Sequence, residues 1–511
     1  MRKLFLIFIL ALFALPAAAQ DSSVVITWPP PVYDVTGTVE VVGTVNPADL
    51  QSYFLEVGAY DQQSPQWIPV TLPKTAPVVN GVIDQWLTSL VSDGVYQLRL
   101  HVKLRSGQDV YSVVGPIRVA NALERPEGEA VIQPLAPVQA VEPTAEPALS
   151  PVEDTRFQVG IQVQQALDFN PDIQDSWMRE VQKLGLNWIK QQVRWEDFQP
   201  TPGEIDWRIL DLVMPSAQHF GHRVMLSIVT APDWAREPGV NLNRHGPPAN
   251  NSDYVNFVTA ILERYPGQVH AIEVWNEQNL DREWTSIRGL SARNYVSLLS
   301  DTYNAVKAID PGIIIISGAL SPTGLNDGIG AYDDYFYLEQ MLAAGVLDVA
   351  DCIGAHANGY NIGPNVPWNQ VPNDPSARFR GPFANPHHSW SFYSTINGYA
   401  DRVRGAGGDQ KICVTEFGWA STEDLDGYPP GFEFANDNTL EEQRDFTIQA
   451  LNLMQEWGNV WLAFIWNLNY GPQAGWDTNN DNVPYSIIGK DYAFRPVYDA
   501  IIQWSSEQAA G

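Results

Sequence analysis

Cysteine is almost missing from this 511-residue chain: only Cys352 and Cys413 are present. Neither creates a thiol nucleophile or a cysteine-built metal site. Positive charge is also scarce, with 30 bases against 59 acids and a net charge of -29, so nucleic acid or an anionic membrane surface would be repelled. Charged residues of both signs make up 17% of the chain, against roughly a quarter in ordinary soluble proteins. Phosphate-cradling signatures are lacking, since no strand candidate is followed by GxGxxG or GxxxxGK[ST]. Beyond the first twenty residues there is no second apolar run long enough to span a bilayer. What is plentiful is glycine, proline and aromatic side chains. That profile fits apolar packing and ordered loops, with rings to spare for a ligand.

The chain reads as several domains. Residues 1–20, MRKLFLIFILALFALPAAAQ, carry a basic start, an apolar core and a small-residue exit, the pattern of a signal peptide. Export to the cell exterior, the envelope or the periplasm is the corresponding expectation, with no membrane attachment after cleavage. Residues 22–120 alternate in period two, as in TVEVVGTV and YQLRLHVKLRSG, with Tyr96, Leu98, Leu100, Val102 and Leu104 on one face and Asp93-Gly94 as a turn. A small all-β sandwich follows from this. Its pattern resembles immunoglobulin-like or fibronectin type III modules, although the cysteine and tryptophan spacing of immunoglobulin domains is absent. Residues 121–154 are rich in proline and acid and read as a linker.

From 155 to 508 strand and helix signals alternate. Eight apolar strand candidates occur, at 157–164, 188–195, 223–232, 270–279, 312–320, 352–360, 411–419 and 461–469. Helical stretches lie between them, for example from Ser252, with Ser252 or Asn251 as cap, and from Ser291. The pattern predicts a (β/α)8 TIM barrel, with polar clusters at the C-terminal ends of several strands. Cys352 and Cys413 would then lie on neighbouring strands, where a disulfide and two buried thiols are both open.

The stretch 269–280, VHAIEVWNEQNL, turns an apparently buried strand into Trp275, Asn276, Glu277 and Gln278. Desolvating those polar atoms is costly unless partners or a pocket receive them. KICVTEFGW repeats the grammar with Glu416. Glu277 and Glu416 thus end the fourth and seventh strands, facing each other across one barrel mouth. Two opposed carboxylates are what acetal hydrolysis needs, one to protonate the leaving oxygen and one to attack or activate water.

On these residues the second part resembles the clan A glycoside hydrolases, of the family 5 and family 39 kind. Their retaining barrels place Asn-Glu after strand four and Glu after strand seven, matching Asn276-Glu277 and Glu416 here. The resemblance implies Glu277 as acid/base, Glu416 as nucleophile and a covalent glycosyl-enzyme. Gln278 departs from the proline that many relatives carry after the acid.

Neighbouring residues complete the expected site. Asn276 suits a sugar 2-hydroxyl, and Arg194 in QVRWEDFQP is expected to hold Glu416 ionised, with Glu196 as its competing partner. His356, Asn358 and Tyr360 share one parity and point toward the mouth if extended, with His356 or Tyr360 orienting the nucleophile. Trp466 matches the place where clan relatives carry a tryptophan beneath the sugar, and Trp234 and Trp275 are further aromatic candidates. Residues 361–393 read as a cleft wall. WDTNNDN at 476–482 holds only the first half of a calcium loop, so neither metal nor cofactor is expected. The expected function is a retaining beta-glycosidase, endo-acting on a polysaccharide or oligosaccharide. A non-catalytic sugar-binding protein and a transglycosidase using the same glutamates remain alternatives.

Overall fold

The computed structural model describes residues 23–29, 33–60, 65–119, 121, 155–166, 169–371 and 387–510. The chain divides into two compact units, Met1–Val141 and Glu142–Gly511. The expected signal peptide and all but the first residue of the expected linker lie outside the described residues. Among the described residues no helix is long and apolar enough to cross a membrane.

The first unit contains β1 (Val24–Trp28), β2 (Tyr33–Val35), β3 (Thr38–Val45), β4 (Leu50–Ala59), β5 (Ile68–Pro69), β6 (Val78–Leu87), β7 (Gly94–Leu104) and β8 (Asp109–Val119). They form one sheet in the order β1-β3-β6 and another in the order β2-β8-β7-β4-β5. Strand alternation explains the core: Leu98, Leu100 and Val102 of β7 face inward and are fully buried with Leu55, Val57, Ile83 and Trp86. The opposite face of β7 carries Arg99, paired with Glu56 at 2.6 Å and stacked over Trp67 and Tyr111.

The second unit is an eight-stranded parallel barrel. Its strands are β9 (Gln158–Gln162), β10 (Trp188–Arg194), β11 (Arg223–Val229), β12 (Ala271–Val274), β13 (Ile314–Ser317), β14 (Ile353–His356), β15 (Ile412–Phe417) and β16 (Val460–Ile465). All eight expected strands are present, each shorter than its apolar run. The bridges Ile316–Cys352 and Leu320–Ala355 link β13 to β14. Around the strands lie α1 (Pro171–Lys183), α2 (Trp195–Phe198), α3 (Arg208–His219), α4 (Asn251–Arg264), α5 (Ala292–Ile309), α6 (Asp334–Ala343), α7 (Phe392–Gly405), α8 (Leu440–Trp457), α9 (Tyr470–Gln473) and α10 (Pro496–Ala510).

Helix starts follow their caps. Ser291 accepts from the Asn294 N–H, and Thr439 with Glu442 forms a full capping box. The α4 expectation needs correction: the helix begins at Asn251, so Asn250 holds the cap position and makes no side-chain cap bond. Inside the barrel, Gly160 leaves room for two large rings, because a Cβ there would lie 2.6 Å from Trp188 and 2.7 Å from Phe464. Cys352 and Cys413 are joined in a buried disulfide of 2.04 Å, so the free-thiol alternative is set aside.

Candidate active site

After Val274 the chain leaves β12 through an unusual bend. Trp275 and Glu277 both adopt left-handed conformations, at φ of 75° and 48°, where side chains with a Cβ are strained. Surrounding bonds fix the bend. The Trp275 N–H donates to Ile228 O at 3.1 Å, and the Glu277 N–H donates to Ala319 O at 2.8 Å. The Trp275 ring is buried against Tyr254 and Trp284, and its indole N–H reaches Glu283 O. Gln278 donates to Gly318 O, and Asn279 bonds Ser321 and Tyr332. The polar run therefore splits in two. Gln278 and Asn279 serve the backbone, whereas Asn276 Oδ1 is buried with no protein partner and Glu277 faces His356 and Arg282.

Glu416 lies within β15 and pairs with His356 in the β14 register. Its Oε1 accepts from Lys190 Nζ at 3.0 Å. Lys190 is fully buried, reaches Thr415 O at 3.2 Å, and stands 3.6 Å from Glu273 Oε2. Glu273 Oε1 in turn accepts from Thr415 Oγ1 at 2.6 Å and from the Ala319 N–H at 3.2 Å. One imidazole joins the two candidate carboxylates: His356 Nδ1 is 3.1 Å from Glu277 Oε1, and His356 Nε2 is 3.5 Å from Glu416 Oε1. Arg282 closes the other side of Glu277, 2.8 Å from Oε2.

The charges set one another's protonation. Burial alone would raise the Glu277 carboxyl, but the hydrogen bond and charge of His356, joined by Arg282, hold it down at about 2. For His356 burial opposes the charge, yet the facing Glu416 and Glu277 raise its pKa above the ordinary value. Lys190 is likewise raised, because Glu416 and Glu273 outweigh its burial.

The chain is similar in fold to a solved family 39 glycoside hydrolase. That structure, from Bacteroides cellulosilyticus, has a TM-score of 0.50 and 16% identity over 94% of this chain and 82% of its own. At this identity the likeness is one of fold. Two further solved structures are similar over a smaller share of the chain. A family 5 subfamily 18 protein from Streptomyces cattleya, in complex with GlcNAc, shows 15% identity over 71% of this chain and 81% of its own, with a TM-score of 0.48. Xylanase 10B from Thermotoga petrophila, in complex with xylobiose, shows 15% identity over 69% and 95%, with a TM-score of 0.46. No family profile and no curated protein matches the chain. Nothing in these comparisons ties the N-terminal sandwich to immunoglobulin or fibronectin modules.

Arg194 requires a correction. It pairs with Glu196 and with Asp197 at 3.3 Å, and the cation on Glu416 is Lys190 instead. Trp466 lies beside Lys190, with the ammonium 5.6 Å from its ring centre, and packs on Tyr470. Tyr360 stands edge-on to Phe434, and burial together with the charge of Glu277 pushes its phenol up to about 12. Trp234 packs edge-on against Trp195 and donates to Gln199 O.

Of the expected cleft wall, residues 372–386 lie outside the described residues. Where the chain resumes, Asp333, His387 and His388 bring ligand-type atoms within 4.8 Å of one another. His387 Nε2 meets Asp333 Oδ2 at 2.8 Å and His388 Nε2 meets Asp334 Oδ1 at 2.7 Å, which pins this segment to the start of α6. In the half calcium loop, Asp477 Oδ1 accepts from the Asn479 backbone and side chain.

Sequence reasoning missed Lys190, Glu273 and Arg282. Glu273 left a signal, a charge inside the otherwise apolar strand AIEV that a buried counter-charge would explain, whereas Lys190 stands beside Gln191 and Gln192 in a more polar run.

Proposed function

We propose that the barrel is a retaining beta-glycosidase acting on a polysaccharide or oligosaccharide, with Glu416 as nucleophile and Glu277 as acid/base. The observation that carries this reading is the pair of glutamates on opposite strand ends meeting a single imidazole. Lys190 sets an ammonium 3.0 Å from Glu416 Oε1, a fixed contact that orients this carboxyl group in the barrel. Asn276 Oδ1 offers an unpaired acceptor to a sugar hydroxyl, a contact that strengthens as oxocarbenium character develops. Trp466 would present its ring to the C–H face of the sugar. Internal cleavage of a polymer is the form we favour, with export and the accessory sandwich as its context.

A glycan-panel digestion, resolved by product size and anomer, tests substrate, cleavage mode and retention together. Glu416→Ala should abolish turnover, and azide should rescue Glu277→Ala on activated aryl glycosides by forming a beta-glycosyl azide. Undiminished hydrolysis by Glu416→Ala would refute the assignment.

A further inference from the structure

A general acid must hold a proton, yet the Glu277 carboxyl accepts from the Arg282 guanidinium at 2.8 Å and faces His356 at 3.1 Å, two partners that favour its charged form. The nearest group that can both hold and release a proton is the His356 imidazole, whose Nδ1 lies 3.1 Å from Glu277 Oε1. His356 is buried, and its other nitrogen faces Glu416 Oε1 at 3.5 Å without a hydrogen-bond partner. Such an imidazole senses both reacting carboxylates at once.

We propose that His356 is the resting place of the catalytic proton, which it gives to Glu277 as Glu416 attacks and takes back when the glycosyl ester is hydrolysed. The proposal rests on the glycosidase reading above. In the first half-reaction a Glu416 oxygen forms a bond to the anomeric carbon, and the bond from that carbon to the leaving oxygen breaks with its electron pair on oxygen. That oxygen takes a proton from Glu277, which receives one from His356 Nδ1. The state reached holds neutral His356, the Glu277 carboxylate and the Glu416 ester. In the second half-reaction water attacks the anomeric carbon, the ester electron pair returns to Glu416, and the water proton passes through Glu277 back to His356. One water is consumed and the site's net charge is unchanged at each stage.

The trigger is electrostatic. Esterification removes the Glu416 charge that helps hold the proton on His356, while Lys190 on β10 keeps its charge and opposes an imidazolium. The groups bearing on His356 are Glu416 from β15, Glu277 beyond β12 and Lys190, with Glu273 partnering Lys190 and Arg282 and Tyr360 bearing on Glu277. Arg282 is 64% exposed at its side chain, so the leaving-group sugar can displace it from Glu277.

The test uses the full chain with nitrogen-15 labelled histidine. One sample is free; the other is treated with 2,4-dinitrophenyl 2-deoxy-2-fluoro glycosides of glucose, mannose, xylose and galactose, and ester formation at Glu416 is read by peptide mass. The expected result is one histidine that is charged at pH 7.5 in the free enzyme and neutral at the same pH once Glu416 is esterified. An ester at Glu416 with no histidine changing its charge overturns the relay alone. No ester with any probe overturns the glycosidase reading and the relay with it, and the mass measurement separates the two failures. A kinetic arm uses His356→Gln and, if that variant does not fold, His356→Asn. Methyl glycosides, which need the acid, should slow by about 10²- to 10⁴-fold, while dinitrophenyl glycosides change only a few-fold. Equal loss on both substrates points to a structural role and overturns the proposal.

Discussion

Replacing Lys190 by methionine tests the electrostatic frame of the site without touching either proposed reacting group. Lys190 and Glu273 are completely buried, and Glu416 retains 10% side-chain exposure. Methionine keeps most of the aliphatic stem and removes the ammonium, so the loss is of charge rather than volume. Removing one partner of a buried ion pair typically destabilises a protein by about 3 to 5 kcal/mol, because the remaining charge is stranded. Two carboxylates lose their cation here, although Glu273 keeps the Thr415 hydroxyl and the Ala319 N–H. The expected loss is therefore about 4 kcal/mol, read by urea unfolding at neutral pH. Adding Glu273→Gln removes the stranded charge that is most deeply buried, and the double variant should recover about half of that loss. Activity should not recover with stability, since Glu416 still lacks its cation in the double variant. A single variant within about 1 kcal/mol of wild type, or a double variant no more stable than the single, would refute the reasoning.

Three further outcomes follow from the geometry. Cys352 and Cys413 close a loop of 61 residues, so the double serine variant should lose up to about 4 kcal/mol by chain entropy, seen as a lower urea midpoint. Trp466→Ala should cost about 1.5 kcal/mol of sugar contact, roughly tenfold in kcat/KM on the preferred substrate. Glu277, held at about 2 against an ordinary 4.5, contributes stability that is present above pH 4.5 and lost as the pH falls toward 2. The stability gap between wild type and Glu277→Gln should narrow by on the order of 3 kcal/mol across that window, whereas a His356→Gln gap should narrow in the opposite direction, as the pH rises from neutrality through the raised histidine value.

The fold was readable because each strand announced itself twice, by an apolar run and by the polar residues that end it. Glu277 and Glu416 stood out for the same reason: a strand that finishes on an acid has either a partner or a substrate to explain it. His356 was visible by parity alone, which placed it toward the mouth but could not show that one ring meets both glutamates. That contact depends on a register irregularity between Ala355 and His356, where β14 shifts against β15. The bend at Trp275 and Glu277 was also hidden, because a left-handed conformation in residues with a Cβ leaves no compositional mark comparable to a glycine.

The Arg194 error has a more instructive origin. Lys190 and Arg194 share the same parity on β10, so alternation cannot choose between them. Depth chooses, and depth is a property of register across strands. Lys190 lies deep enough in the barrel for its ammonium to reach Glu416 Oε1 at 3.0 Å across the interior, past β9 and β16. Arg194 is four residues further along, about 13 Å at the usual rise per residue, and meets the acids of the following turn. β10 overshoots the catalytic layer, and the end of a strand marks that layer only where strands stop together. The lysine in the middle of this buried strand was the informative residue, since its charge had to be answered from across the barrel interior, and Glu273 of β12 and Glu416 of β15 both answer it.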